Sequence, residues 1–244
     1  MAKPYLSVII PAYNEAQRLP LTLVDVDKHL ASQEFSYEIL VVNDGSKDAT
    51  SEIARRFSSL VENLKVIDLP ENLGKGAAVR QGMMEAKGNW RLFMDADNST
   101  SVNEFLKMMP YFKEGYDVVI GSRSVRGAKL NPPQPLYRRL VGRLGNLFIR
   151  IILIKGIRDT QCGFKCFSEE SAEKIFPLVK IKGWGFDVES LALAQRFHYR
   201  IKEVPIFWSN SFFSHVVPRT YLKVLWETIK IWWWLKKGRY DITK

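Results

Sequence analysis

Apolar and polar positions change rhythm along this chain, and the change divides it into two halves. In the first half, short apolar runs at residues 5–10 (YLSVII), 37–42 (YEILVV), 64–69, 90–94 (WRLFM) and 117–120 read as strands, the first ended by Pro11. Helical signals lie between them, from 15 to about 31 and over 49–57, 76–87 and 102–112. Near-continuous apolar strands joined through helices predict an α/β fold, with a mostly parallel sheet covered on both faces.

The second half is less regular. Residues 126–135, with three prolines and a glycine, predict an exposed, mobile loop. An amphipathic helix is expected over about 136–155, a strand over 163–167 and helices over 169–176 and 188–197. A strand over 201–208 and a last helix over about 219–237 complete the chain. No internal repeat or low-complexity tract interrupts it. The expected organisation is one α/β domain over 1–217, followed by a C-terminal amphipathic helix over 218–244 that faces a membrane or a partner.

Composition is that of a folded globular chain, with 46% apolar and 25% charged residues. The formal charge of +10 adds an expectation of an anionic partner, whether nucleic acid, phosphorylated substrate or acidic membrane. Its distribution narrows the choice. Between Val118 and Arg158 there are nine Lys or Arg residues and no Asp or Glu, beside the aliphatic runs 147–149 and 151–154. Nucleic-acid surfaces more often interleave cations with polar and aromatic groups, so no nucleic-acid partner is expected. Cations beside a broad aliphatic face fit a lipid surface, a solvated basic rim being the plainer alternative.

The last helix (YLKVLWETIKIWWWLKK) puts Lys223, Glu227 and Lys230 on one narrow face and leaves aliphatic and indole groups around the rest. Trp and Lys favour the bilayer interface, although a partner protein or second subunit would also take such a helix. No apolar run reaches the roughly 18 residues needed to span a bilayer. No secretory leader is expected either. A cytoplasmic protein, peripheral on the cytosolic membrane face, is expected. Cys162 and Cys166, with only the scattered His29, His198 and His215, make neither a disulfide scaffold nor a zinc site. Both thiols are expected to be reduced and semi-buried.

Ligands of a parallel sheet gather beyond the carboxyl ends of its strands. Polar or glycine-bearing turns follow each predicted strand: Pro11-Ala12-Tyr13-Asn14-Glu15, Asn43-Asp44-Gly45-Ser46, Asn72-Leu73-Gly74-Lys75-Gly76, Asp95-Ala96-Asp97 and Gly121-Ser122-Arg123. Asp95 and Asp97 repel each other unless a cation lies between them, and hard carboxylate oxygens suit Mg2+ or Mn2+. A solvated loop capping the helix near Val102 is the alternative. Asp44 can accept hydrogen bonds from a base or ribose, or can serve as a turn or N-cap residue. Gly74-Lys75-Gly76 opens a helix whose free N–H groups favour an anion, without the spacing of a P-loop.

In order and spacing these turns are similar to those of family 2 glycosyltransferases of the GT-A fold. Residues 158–165 (RDTQCGFK) and 184–189 (WGFDVE) resemble segments of dolichyl-phosphate β-glucosyltransferases, and the resemblance runs from about Tyr5 to Trp208. It implies a GT-A, Rossmann-like sheet flanked by helices, with C-terminal amphipathic helices at an interface. It also implies an inverting hexosyltransferase that moves a sugar from a nucleotide sugar, UDP-glucose by analogy, to a polyprenyl or dolichyl phosphate, using Mg2+ or Mn2+. Pro11, Ala12, Tyr13, Glu15, Asp44, Lys75 and Asp95 would hold the nucleotide. Asp95 and Asp97 would bind the metal, Asp97 more directly. Arg123 would face the diphosphate or the acceptor phosphate, joined by Arg138 or Arg139.

Asp159 and Asp187 are candidates for a base or for donor-sugar contacts. The alternative for them is an ion pair with Arg158 or Lys165, or a helix cap before Val188. A saccharide acceptor stays open, and would require Asp187 as base. A non-enzymatic anion- or nucleic-acid-binding module would leave the strand-end turns unexplained. A nucleotidyltransferase would need a Gly-rich basic loop where Pro-Ala-Tyr-Asn-Glu stands. Eukaryotic relatives carry an N-terminal anchor and many bacterial ones C-terminal spans; with neither pattern here, membrane contact is expected to be peripheral.

Overall fold

The computed structural model describes residues 3–132, 136–209 and 218–240, with helix backbone alone at 136–139 and 218–219. The first half alternates as its pattern demands: β1 (Leu6–Ala12), α1 (Leu19–Ala31), β2 (Tyr37–Asn43), α2 (Thr50–Ser58), β3 (Leu64–Asp68), α3 (Lys75–Glu85) and β4 (Trp90–Met94). Then come a 3-10 turn (Val102–Lys107), α4 (Met109–Lys113), β5 (Val118–Ser122), β6 (Lys129–Asn131) and α5 (Leu136–Ile152). The chain continues with β7 (Phe164–Ser168), α6 (Glu169–Ile175), α7 (Phe186–Arg196), β8 (Ile201–Pro205), β9 (Phe207–Ser209) and α8 (Pro218–Lys236).

Seven strands form one sheet in the order β3-β2-β1-β4-β7-β5-β8. All its neighbours run parallel except β7, which enters antiparallel between β4 and β5. β1 is buried along its whole length, because helices cover both faces of the sheet. Its side chains alternate between two cores. Ile9 belongs to the core that Val79 and Met83 of α3, Leu191 of α7 and Ile231 of α8 also enter. Val8 and Ile10 join Leu23 and Val26 of α1 and Phe105 of the 3-10 turn.

Four local expectations change. Residues 126–135 are not wholly a loop, because β6 pairs in parallel with β9, Lys129 opposite Phe207; residues 133–135 lie outside the described part. The single strand expected over 201–208 breaks at Ile206, where the chain leaves the large sheet for this small one. The helix expected over 102–112 is a 3-10 turn followed by α4, since Pro110 in the first turn of α4 has no N–H to continue the ladder. Cys162 and Cys166 are fully buried rather than semi-buried.

The last helix also differs from its helical-wheel reading. α8 lies against α5 and α7 with Val224, Glu227, Thr228, Ile231 and Trp234 buried. Glu227 therefore points into the protein while Lys223 and Lys230 stay outside. Leu222 and Trp226 are 70% and 66% exposed. Among the described residues, no helix is long and apolar enough to cross a membrane.

Candidate active site

A cleft of about 1160 Å³ opens beyond the carboxyl ends of β1, β2, β4 and β5 and reaches α5 and α8. Pro11, Ala12, Tyr13, Glu15, Asp44, Lys75, Asp95, Asp97, Arg123, Asp159 and Asp187 all line it. The side chains of Arg138 and Arg139 lie outside the described residues. A parallel sheet delivers its strand ends to one edge, which explains why turns so far apart in sequence meet here.

One wall is built around the carboxylates after β4. Lys75 Nζ lies 2.5 Å from Asp95 Oδ1 and 4.9 Å from the centre of the Trp184 ring. Burial works against the Lys75 charge, but Asp95 and Asp187 outweigh it and raise the ammonium above its ordinary value. Asp95 also lies over Gly163, where a Cβ would come 2.1 Å from its Oδ2. Asp97 Oδ1 accepts from the Ser99 N–H at 3.0 Å, and Oδ2 is 3.7 Å from Arg18 Nη1. Behind them, Asn98 Oδ1 and Ser99 Oγ are buried without a hydrogen-bond partner.

This donor set fits a divalent cation of the Mg2+ class. Both carboxylates keep part of their surface open, 35% for Asp95 and 22% for Asp97. Among the described residues there is no cluster of three or more His, Cys, Asp or Glu side chains able to enclose a metal. Two carboxylates with open positions suit an ion that completes its shell with phosphate oxygens and water.

The start of α3 corrects the expectation of a free anion site. Asp44, buried after β2, accepts from the N–H groups of Leu73 at 2.8 Å and Gly74 at 2.9 Å. Lys182 O accepts from Gly76 N at 2.8 Å and Ala77 N at 3.3 Å. The N–H groups of Leu73, Gly74, Gly76 and Ala77 are thus taken by the protein's own acceptors, and Lys75 Nζ is the cationic group this end contributes to the cleft. Burial raises the Asp44 carboxyl despite its two backbone donors.

Arginines line the same cleft. Arg123 after β5 grips Asp159 through Nε and Nη2 at 2.8 and 2.9 Å, and its N–H donates to the same carboxylate at 2.9 Å. Burial alone would raise Asp159, but the guanidinium outweighs it and holds the carboxyl below the usual range. Asp159 therefore orients Arg123, and its pairing with Arg158 or Lys165 is not what the structure contains. Asp187 does pair with the fully buried Lys165, which also donates to Cys162 O at 2.6 Å. Burial still pushes Asp187 upward, against Lys165 and Lys75. Burial lifts the Cys162 thiol to about 12, so it is no nucleophile.

Sequence reasoning passed over several cleft residues. Arg143 and Arg150 reach it from α5, seven positions and two turns apart on one helix face. Arg158 lines it too, and Arg18 makes paired contacts with Glu15 from the start of α1. The periodicity of α5 carried a signal for its two arginines; Arg18 had only its i+3 spacing from Glu15.

The profile of Glycosyl transferase family 2 matches residues 7–176. A dolichyl-phosphate beta-glucosyltransferase of Dictyostelium discoideum is 39% identical over 218 residues, covering 84% of this chain and 67% of the relative. The Homo sapiens dolichyl-phosphate beta-glucosyltransferase is 32% identical over 247 residues, covering 96% and 72%. Among solved structures, glucosyl-3-phosphoglycerate synthase from Mycobacterium tuberculosis, in complex with Mn2+, uridine diphosphate and glucosyl-3-phosphoglycerate, superposes with a TM-score of 0.68 at 18% identity, covering 93% of this chain and 80% of that one.

Proposed function

The chain belongs to glycosyl transferase family 2 and has the GT-A fold, and from that premise we propose that it moves glucose from UDP-glucose to a dolichyl or other polyprenyl phosphate at a membrane surface. The observation that carries this reading is the meeting of charges in one cleft, a carboxylate pair after β4 together with arginines from β5, α5 and the loop before β7. A nucleotide sugar and a phosphate acceptor are both anions, and holding them together is the central difficulty of the reaction.

Asp95 and Asp97 would hold Mg2+ or Mn2+ against the donor diphosphate, Asp97 being the one without a lysine on its carboxylate. When bound, the ion supplies Lewis-acid stabilisation of the departing nucleoside diphosphate. Pro11, Ala12, Tyr13, Glu15 and Asp44 would seat the nucleotide, and Lys75 would meet its phosphates. Arg123, oriented by Asp159, would receive the acceptor phosphate together with Arg143, Arg150 and Arg158 of the same cleft, and with Arg138 or Arg139. A phosphate oxygen is ionised near neutral pH, so attack on the sugar needs positioning more than a base. Asp187, held by Lys165, would then act through the field it exerts on Lys75.

Membrane contact is supported by α5 and α8. Leu144 and Ile151 of α5 are 58% and 74% exposed, α8 packs on α5 with Leu222 and Trp226 exposed, and both helices carry exposed arginines or lysines. Leu147, Tyr221 and Val224 carry this apolar surface into the cleft, a path for an acceptor with a hydrocarbon tail.

The test is a panel of nucleotide sugars offered with a polyprenyl phosphate or with soluble saccharides, with and without chelator. Glucosyl transfer to the lipid phosphate, lost on chelation, is the expected outcome, and Asp97→Ala should abolish it in a folded protein. Transfer to saccharides alone would replace the lipid acceptor, and Asp187→Asn should then be severely damaging.

A further inference from the structure

Residues 180–185 connect the second half of the chain to the cleft, and buried acids fasten them. Glu227 of α8, only 7% exposed, accepts the N–H of Gly185 through Oε2 at 2.8 Å. Gly185 is the N-cap residue of α7, and its N–H, one of the donors the helix end leaves without a partner of its own, is met by a carboxylate from another helix. A Cβ at Gly185 would lie 2.6 Å from Glu227 Oε2, and one at Gly183 would lie 2.9 Å from Oε1. Glu189 of α7 secures the other end, accepting from Lys180 N at 3.0 Å, Ile181 N at 2.7 Å and the Tyr240 hydroxyl at 2.5 Å.

The face of this segment turned away from α8 is bonded to the donor wall. Lys182 O receives the N–H groups of Gly76 and Ala77, the residues directly after Lys75. Gly74 and Gly76 allow that approach, since a Cβ on either would come 2.5 or 2.4 Å from the carbonyl oxygens of Lys182 or Ile181. Trp184 lies beneath the Lys75 ammonium. Displacing 180–185 therefore displaces the backbone that carries Lys75, the ring beneath it and the start of the helix that carries Asp187.

Glu227 forms no salt bridge within 4.0 Å among the described residues. Lys223 and Lys230 of the same helix attract this carboxylate from beyond contact distance, and burial still raises it, so its inward position is costly for a helix that needs only to pack. Its chemistry is explained by the backbone donor it meets. We propose that Glu227 is a positioning residue, through which α8 holds segment 180–185 against α3 and so sets Lys75 opposite Asp95. The proposal rests on the reading of that wall as the donor site. It makes the seating of α8, the helix with the exposed tryptophans, a condition for nucleotide binding at the other end of the linkage.

The experiment measures UDP affinity with Mn2+ by calorimetry, and melting temperature by circular dichroism, for Glu227→Gln, Glu227→Ala, Gly185→Ala, Ile231→Ala and Lys75→Ala. Losing a hydrogen bond to a charged acceptor predicts about tenfold weaker UDP binding in Glu227→Ala. A smaller loss is expected in Glu227→Gln, which keeps an acceptor oxygen. Gly185→Ala approaches the same contact from the other side, and its effect should be non-additive with Glu227→Gln in a double-mutant cycle. Ile231→Ala empties a buried position on the same helix but keeps the Glu227 contact, so it should lower the melting temperature and weaken UDP binding less than Glu227→Ala does. If Lys75→Ala loses UDP while Glu227→Ala and Gly185→Ala bind it normally, the latch is overturned and the donor site stands. If Glu227→Ala does not fold, Glu227→Gln and Gly185→Ala decide the question by the same criterion. Unchanged binding by Lys75→Ala overturns the donor-site reading, and the latch with it.

Discussion

Gly163 has no side chain because Asp95 occupies the place one would take. Its φ is not in the left-handed region, so Gly163→Ala demands no disfavoured backbone, and the first atoms its Cβ meets are those of the Asp95 carboxylate. A displacement of about 1 Å at a reacting centre costs on the order of a hundredfold. Transfer by Gly163→Ala should fall by about that factor in a steady-state assay, with the melting temperature nearly unchanged. Asp159 gives a second prediction, with a sign set by linkage. Its carboxyl is depressed in the fold, so its contribution is complete above the ordinary carboxylate range and is lost as pH falls toward its folded value. Asp159→Asn should cost about 3 kcal/mol at neutral pH by leaving Arg123 uncompensated, and should flatten the acid limb of a stability profile followed by denaturant unfolding. The turns that hold these residues were visible in the sequence because polar groups interrupt apolar strands there. The grip of Arg123 on Asp159 was not, since it depends on where β5 stands relative to the loop before β7, a tertiary relation with no local signature.

At the scale of elements, α5 and α8 were readable as amphipathic helices, but a helical wheel shows which positions share a face and not which face is turned inward. Glu227 marks the difference: its polar stripe contributes one group to the interior and two to the outside. The break at Ile206 was hidden for a related reason, because one strand-like run, IKEVPIFW, crosses it and only the partner changes. The exposed apolar positions yield a direct prediction. Ile151→Glu and Trp226→Glu should weaken co-sedimentation with anionic vesicles at low salt. Both sites are exposed, so stability should stay within about 0.5 kcal/mol of the parent. Binding of the parent chain should itself weaken as salt rises, since part of the attraction comes from lysines and arginines. Unchanged sedimentation by both variants would remove α5 and α8 as the lipid-facing surface.

At the scale of the molecule, the alternation of strand and helix predicted the sheet and the edge on which ligands collect. It carried no information on the direction of β7, whose apolar sequence would serve a parallel strand equally well. The carboxylates and cations gathered in one cleft predict cooperation between ion and nucleotide. UDP with Mn2+ at a hundredfold over its dissociation constant should stabilise the chain by about 2.7 kcal/mol, and neither ligand alone nor the pair with chelator should match it. Thermal unfolding followed by circular dichroism reads this as a rise of several degrees. The antiparallel seat of β7 has a further consequence, for biosynthesis. While the ribosome has not yet delivered residues 164–168, β4 has an unpaired edge and β5 has no strand to join it to the rest. The N–H of Asp95 meets Gly163 O at 3.2 Å, immediately before that strand. Closure of the sheet and seating of the carboxylate are thus one event, so a nascent chain stalled earlier would offer chaperones a sticky edge and have no working cleft.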